Sequence, residues 1–260
     1  MKHLKKRIQQ GEAVHGCWLN LGSVVTAEIV GLAGFDWVLI DLEHGAGEEK
    51  DVLSQLQALE HTDTAAVVRV ESNERQRIHR VLDAGAEGVM CPHINYGTDA
   101  KKMVSGLRYP PGGNRGVAKM VRATGFGKNF SDYSSSADEN ILGIAQVETA
   151  EALDHLDEIA ATDGIDVLFI GPADLSMSLG IFGQLDHPRF RNAVKAIVHA
   201  AQKAGKATGI LLFNPADYAH WFEAGIRVIA CGADGSFVAE GAGNMAAKLI
   251  SARSLLNSRK

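Results

Sequence analysis

Short runs of apolar and β-branched residues alternate along the whole chain with longer stretches whose apolar residues recur every three or four positions. The short runs predict strands at 14–19 (VHGCWL), 36–41 (DWVLID), 65–70 (AAVVRV), 87–91 (EGVMC), 143–148 (GIAQVE), 166–170 (DVLFI), 207–213 (ATGILLF) and 226–231 (IRVIAC). Helical spacing is clearest at 48–60, through Val52, Leu53, Leu56 and Leu59, and at 189–204, through Phe190, Val194, Ile197 and Val198. Further helices are expected at about 97–107 and 236–256. Strands that are apolar throughout, rather than alternating, belong to parallel sheets covered by helices.

Eight strands with intervening helices and a closing helix count out an α/β fold, a (β/α)8 TIM barrel, with residues 1–260 as a single domain. An open doubly wound sheet is the competitor. It usually has fewer strands and an early G-x-G-x-x-G, and none follows the first strand here. One stretch breaks the rhythm: Arg108 to Asn140, between the fourth helix and fifth strand, reads as a long loop. Loops of that length are either functional lids or exposed insertions without a role.

The composition changes the picture mainly by exclusion. The 260 residues are 46 % hydrophobic and 22 % charged, which suits a globular chain with ample core. With 26 Lys and Arg against 31 Asp and Glu, the formal charge is −5, which argues against nucleic acid as a partner. Cys17, Cys91 and Cys231 each lie in an apolar run and form no C-x-x-C, so they are expected as buried thiols of a reducing, cytoplasmic environment. No apolar run approaches the roughly 18 residues of a membrane span.

In a parallel barrel the catalytic groups come from the C-terminal ends of the strands. The second strand ends Asp41-Leu42-Glu43-His44-Gly45, the third at Arg69, the fifth Gln146-Val147-Glu148 and the sixth Gly171-Pro172-Ala173-Asp174. Glu148 and Asp174 could offer oxygen ligands to one hard divalent ion, Mg2+ or Mn2+. Helix caps or salt bridges would use the same residue types. Gly171 and Pro172 suit a strand-to-helix turn whose amides, near Ala173 and Asp174, could hold an anion. His44, three residues after Asp41, could be a general base with its tautomer set by that carboxylate. Arg69 suits a keto or enolate oxygen; a salt bridge to Glu71 or Asp41 is the plainer alternative. His93, after the fourth strand, could line the same site. There is no G-x-S-x-G, no Walker sequence, no H-E-x-x-H and no lysine inside a predicted strand for a Schiff base.

Several stretches together resemble the HpcH/HpaI class II aldolases of the phosphoenolpyruvate/pyruvate barrel superfamily. They are AGFDWVLIDLEHG (33–45), VVRV (67–70), VLDAGAEGVMCP (81–92), RYPPGGNRGV (108–117), QVETAEAL (146–153), FIGPADLSMSLG (169–180) and AGKATGIL (204–211). The resemblance implies reversible, metal-dependent cleavage of 4-hydroxy-2-oxo acids, such as 2-keto-3-deoxy sugar acids or 2,4-dihydroxyhept-2-enedioate, to pyruvate and an aldehyde. It implies Glu148 and Asp174 as ligands of a divalent metal ion (Mg2+ or Mn2+, with Co2+ as a substitute), and Arg69 on the keto oxygen. It also implies His44 as base oriented by Asp41 and Asp83, one of which reaches a neighbouring subunit's site. Gly171, Pro172, Ala173, Asp174 and Leu211 would line the pyruvate pocket. The expected assembly is a homo-oligomer, a hexamer with an exchanged C-terminal helix. Leu42 and the stretch His93-Ile94-Asn95-Tyr96 depart from the family pattern and bear on the aldehyde half. Alternatives within the superfamily are an oxaloacetate decarboxylase or a CoA-thioester lyase. More distant ones are a sugar-phosphate isomerase using Gly232 and Gly235, or a non-catalytic ligand-binding protein.

Overall fold

Strand alternation sorts side chains onto two faces, and both faces of every strand here are apolar, so the sheet must be covered on both sides. In the computed structural model, which describes residues 2–257, it achieves this by closing on itself. The strands are β1 (Val14–Leu19), β2 (Trp37–Asp41), β3 (Ala65–Arg69), β4 (Gly88–Cys91), β5 (Leu142–Val147), β6 (Val167–Ile170), β7 (Ala207–Leu212) and β8 (Val228–Ala233). They pair in parallel in chain order, β8 closing on β1, as a TIM-type barrel. All eight lie within a residue or two of their predicted limits.

Two apolar layers result. The outer one, between strands and helices, holds Val38, Ile40, Val68, Val89, Ile170 and their helical partners; the inner one fills the barrel with Trp18, Trp37, Leu39, Val67, Met90, Ile144 and Phe169. Three aromatic rings pack edge-on or tilted there, with centroids 5.7–6.3 Å apart. Two glycines make the room. A Cβ on Gly16 would lie 2.4 Å from the Trp37 ring, and one on Gly209 2.4 Å from Phe169. The barrel is therefore packed below its rim, and any ligand must bind above that floor.

The helices at Glu49–Ala58, Gly97–Leu107, Pro188–Lys203 and Asp234–Asn257 match their expected positions. Two segments differ from the sequence reading. Residues 4–9 form a helix whose Leu4 and Ile8, one turn apart, join the inner cluster; buried Lys5 bonds the carbonyls of Asp138 and Ile141 and pairs with Asp166 at 3.2 Å. The stretch Arg108–Asn140 is also not a continuous loop. It contains a turn of 3-10 helix at Arg122–Thr124 and a helix at Phe130–Asn140, anchored by Tyr133 and Ala137 at i,i+4. Because it runs from a helix back to a strand, it returns to the face opposite the strand ends. There Arg122 bonds the carbonyl of Ala84 and pairs with Glu60. Among the described residues, no helix is long and apolar enough to cross a membrane.

Candidate active site at the strand ends

Alternation along β2 and β3 turns Asp41 and Arg69 inward at the rim, and the parallel register sets them side by side. Asp41 takes Arg69 Nε on Oδ1 at 3.0 Å and Nη2 on Oδ2 at 2.7 Å, a two-pronged grip on a guanidinium that is only 6 % exposed. Two residues beyond Asp41, Glu43 lies on the same side. Its Oε2 is 2.8 Å from Arg69 Nη1, though out of hydrogen-bond alignment. The guanidinium carbon also stands 6.0 Å from the centre of the Trp18 ring. Burial works against the Arg69 charge, but Asp41, Glu43 and Glu148 more than offset it and hold the group above its usual range.

Glu148 stands past the end of β5 and is 2 % exposed. Its Oε1 accepts the backbone N–H of His93 at 2.8 Å, and its Oε2 accepts the carboxamide of Gln146. Burial pushes the Glu148 carboxyl above its ordinary value; the His93 amide opposes this, and the charges of Asp174 and Glu43 add to it. A Cβ on Gly171, at the end of β6, would fall 2.6 Å from Glu148 Oε2, so glycine keeps the space beside that oxygen open. Pro172 opens the helix Pro172–Ser178, and Asp174 lies exposed in its first turn. Leu211, half-buried on β7, packs against the inner cluster.

The oxygen donors suit a hard divalent ion. Glu148, Asp174 and the buried, unpartnered Gln146 Oε1 offer oxygen donors, and the His93 amide and Gln146 carboxamide that donate to Glu148 are neutral. Among the described residues, no three His, Cys, Asp or Glu side chains gather around one point. Magnesium is commonly held by one or two carboxylates with water and substrate completing the sphere, so two suffice.

The predicted residues are thus partly assembled. Arg69, Asp41, Glu148, Gly171, Pro172 and Asp174 meet at one rim. His44 is at the rim too, its side chain 69 % exposed, but Asp41 does not orient the imidazole. The Asp41 carboxylate instead accepts the backbone amides of Glu43 at 3.0 Å and His44 at 3.3 Å, with Arg69 on both oxygens; the nearest carboxylate to the ring is Glu43, 3.9 Å from Nε2. Glu71 pairs with Arg77 rather than with Arg69. Asp83 stands apart from this cluster, on the helix Arg75–Ala84, where its Oδ1 accepts Arg115 Nη2 at 3.0 Å. Arg115 is the arginine of RYPPGGNRGV; it is 1 % exposed, between the rings of Tyr109 and Tyr133. Glu43 and Gln146 are rim residues given no role above. Each is two positions from a recognised one, which is the strand period that could have found them.

A family model described as HpcH/HpaI aldolase/citrate lyase matches residues 15–241. The chain is 44 % identical over 237 residues to a hydroxypyruvate/pyruvate aldolase of Paraburkholderia phytofirmans, covering 89 % of this chain and 91 % of that one. It is 39 % identical over 219 residues to a 5-keto-4-deoxy-D-glucarate aldolase of Shigella boydii, covering 84 % and 85 % respectively. A crystal structure of an HpcH/HpaI aldolase/citrate lyase family protein from Burkholderia cenocepacia superposes with a TM-score of 0.91 at 40 % identity, covering 96 % of this chain and 99 % of that one. With the barrel closed in chain order and a buried carboxylate beside a paired arginine at its rim, the chain belongs to the HpcH/HpaI aldolase/citrate lyase family and is an enzyme, a carbon–carbon lyase.

Proposed function

We propose that the rim reversibly cleaves 4-hydroxy-2-oxo acids to pyruvate and an aldehyde. The observation that carries this reading is the pairing, at one strand-end cluster, of the buried Glu148 with the Asp41–Arg69–Glu43 network. Glu148 and Asp174 would hold a divalent ion, Mg2+ or Mn2+. When bound, that ion supplies Lewis-acid stabilisation of the charge that develops on the keto oxygen. Arg69, fixed by Asp41, donates to the same oxygen from a position that needs no rearrangement during the reaction. The substrate carboxylate lies at the turn Gly171–Asp174, on the amides of Ala173 and Asp174. The inner aromatic floor and Leu211 keep water from the reacting carbons. His44 takes the proton of the 4-hydroxyl, the C3–C4 bond breaks, its electron pair passes into the enolate, and a proton returned to C3 yields pyruvate.

Among the described residues, no carboxylate other than that of Glu43 lies within 4 Å of the His44 ring to set its tautomer. We assign that task to Asp83 of a neighbouring subunit, held in place by Arg115. This requires an oligomer, and the helix Asp234–Asn257 suits exchange between subunits, with Val238, Met245, Leu249 and Ile250 more than half exposed. We read the assembly as a hexamer. Buried Cys17 and Cys91 agree with a cytoplasmic enzyme.

The test is pyruvate release from a panel of 4-hydroxy-2-oxo acids, followed through a coupled lactate dehydrogenase. It is run as purified, after EDTA, and after Mg2+ or Mn2+ is restored. Release that stops with EDTA and returns with metal is expected. Undiminished release after complete metal removal overturns the roles of Glu148 and Asp174, and no release from any member overturns the reaction.

A further inference from the structure

Two carboxylates hold one ion best when their separation is fixed in advance, and Glu148 and Asp174 come from different strand ends. Glu148 lies one residue past β5, so its place depends on the contacts of its own short segment. Both of its oxygens are already aimed by donors, Oε1 by His93 N–H at 2.8 Å and Oε2 by the Gln146 carboxamide. The first donor comes from the turn after β4. His93 has φ 52° there, in the left-handed region that a non-glycine residue keeps only where its surroundings hold it.

The end of β5 is pinned on two sides. On one, Thr149 Oγ1 donates to Asn95 Oδ1 at 2.6 Å, tying it to the turn that carries His93. Ile94 N–H, 3.2 Å from the Gln146 carbonyl, adds a backbone bond between the same two stretches. On the other side, Ala150 N–H donates to Ser178 Oγ at 2.8 Å. Ser178 closes the helix Pro172–Ser178, one turn beyond Asp174. Glu148 is thereby bracketed between its amide donor and the element that carries the second carboxylate. The Thr149 hydroxyl also accepts Ala152 N–H at 3.1 Å, as the N-cap of the helix Ala150–Asp154. Capping needs only that acceptor, so the proton sent to Asn95 is a contact the cap does not require.

Building on the reading of Glu148 and Asp174 as metal ligands, we propose that Thr149 and Asn95 are positioning residues: their hydrogen bond holds the His93 amide on Glu148 and so aims that carboxylate at the divalent ion. Groups that orient a metal ligand typically contribute about 10–100-fold in affinity. A bond that served the fold alone would change stability and leave metal affinity in place.

The experiment measures the Kd for Mn2+ by EPR of the free ion, without substrate, with urea unfolding of the metal-free protein alongside. Wild type should bind, and Glu148→Gln should weaken binding at least a hundredfold. Thr149→Val should raise the Kd at least tenfold, and Thr149→Ser, which restores the hydroxyl, should bind within threefold of wild type. Asn95→Ala leaves the helix cap intact; it should raise the Kd at least fivefold and unfold close to the wild-type urea midpoint. The double variant should be no more than about twofold weaker than Thr149→Val, because both substitutions break one bond. If Asn95→Ala binds Mn2+ within twofold of wild type while Glu148→Gln has lost it, the positioning role is overturned and the metal reading stands. Losses that multiply in the double variant overturn the claim that the two residues act through their shared bond. Mn2+ binding that is absent in wild type, or undiminished in Glu148→Gln, overturns the metal reading and this proposal with it.

Discussion

On the proposed mechanism, Arg69 is both a structural and a chemical residue. Its guanidinium is almost wholly buried, which is tolerable only because Asp41 and Glu43 neutralise it. Removing it leaves two carboxylates facing each other in a dry rim, at a cost of about 3–5 kcal/mol by analogy with broken buried pairs. Arg69→Ala should therefore lose both stability and about 10²–10³ in turnover. Arg69→Lys separates the two effects, since lysine restores the charge but not the two-pronged geometry. It should melt close to wild type yet keep less than a tenth of the cleavage rate, as read by coupled pyruvate release. A lysine variant with wild-type turnover would show that charge alone suffices. At this scale the sequence was legible wherever strand alternation could be followed. Asp41 and Arg69 are recognisable as strand-end residues, and Glu43 and Gln146 lie two positions from recognised ones. What could not be read was which partner each group takes. Asp41 spends both oxygens on Arg69 and on backbone amides, and nothing in the spacing Asp41-Leu42-Glu43-His44 distinguishes that from an imidazole contact.

The elements that escaped the sequence reading are those with few apolar anchors. β2, β3 and β6 are buried on both faces and announce themselves as continuous apolar runs. The helix Leu4–Gln9 has only Leu4 and Ile8 among basic and amide residues, so its charges dominate the pattern. Phe130–Asn140 likewise hides Tyr133 and Ala137 among Ser, Asp and Asn. Both lie at the barrel face away from the candidate site, and this separates stability from catalysis. Ile8 is 3 % exposed and belongs to the inner cluster. Ile8→Ala should cost about 2–5 kcal/mol, the range for truncating a large buried aliphatic. Urea unfolding would measure that loss, and kcat under native conditions should stay within about twofold of wild type. A stable variant with collapsed turnover would place this helix in the chemistry after all.

Across the whole molecule, the barrel buries acids that ionise only at high pH. Burial pushes the Cys17 thiol up to about 12 from an ordinary 9.0, and pushes the Cys91 thiol and the Tyr133 and Tyr109 phenols upward as well. For such groups the folded state keeps a proton that the unfolded chain releases, so their contribution is constant below the unfolded pKa and stability falls as pH rises through it. For Cys17 the window runs from near 9 to about 12, with a slope of about 1.4 kcal/mol per pH unit. Other groups titrate over the same range, so the Cys17 term is best isolated by comparison with Cys17→Ala, which loses the thiol but keeps a small apolar group. The unfolding free energies of wild type and variant, measured in urea between pH 8 and 10.5, should differ by a constant amount up to about pH 9. Above that the wild type should lose ground to the variant progressively. A difference that stays flat across the interval would mean that Cys17 ionises as readily in the folded barrel as in the unfolded chain, which a side chain with no exposed surface next to Trp18 should not allow.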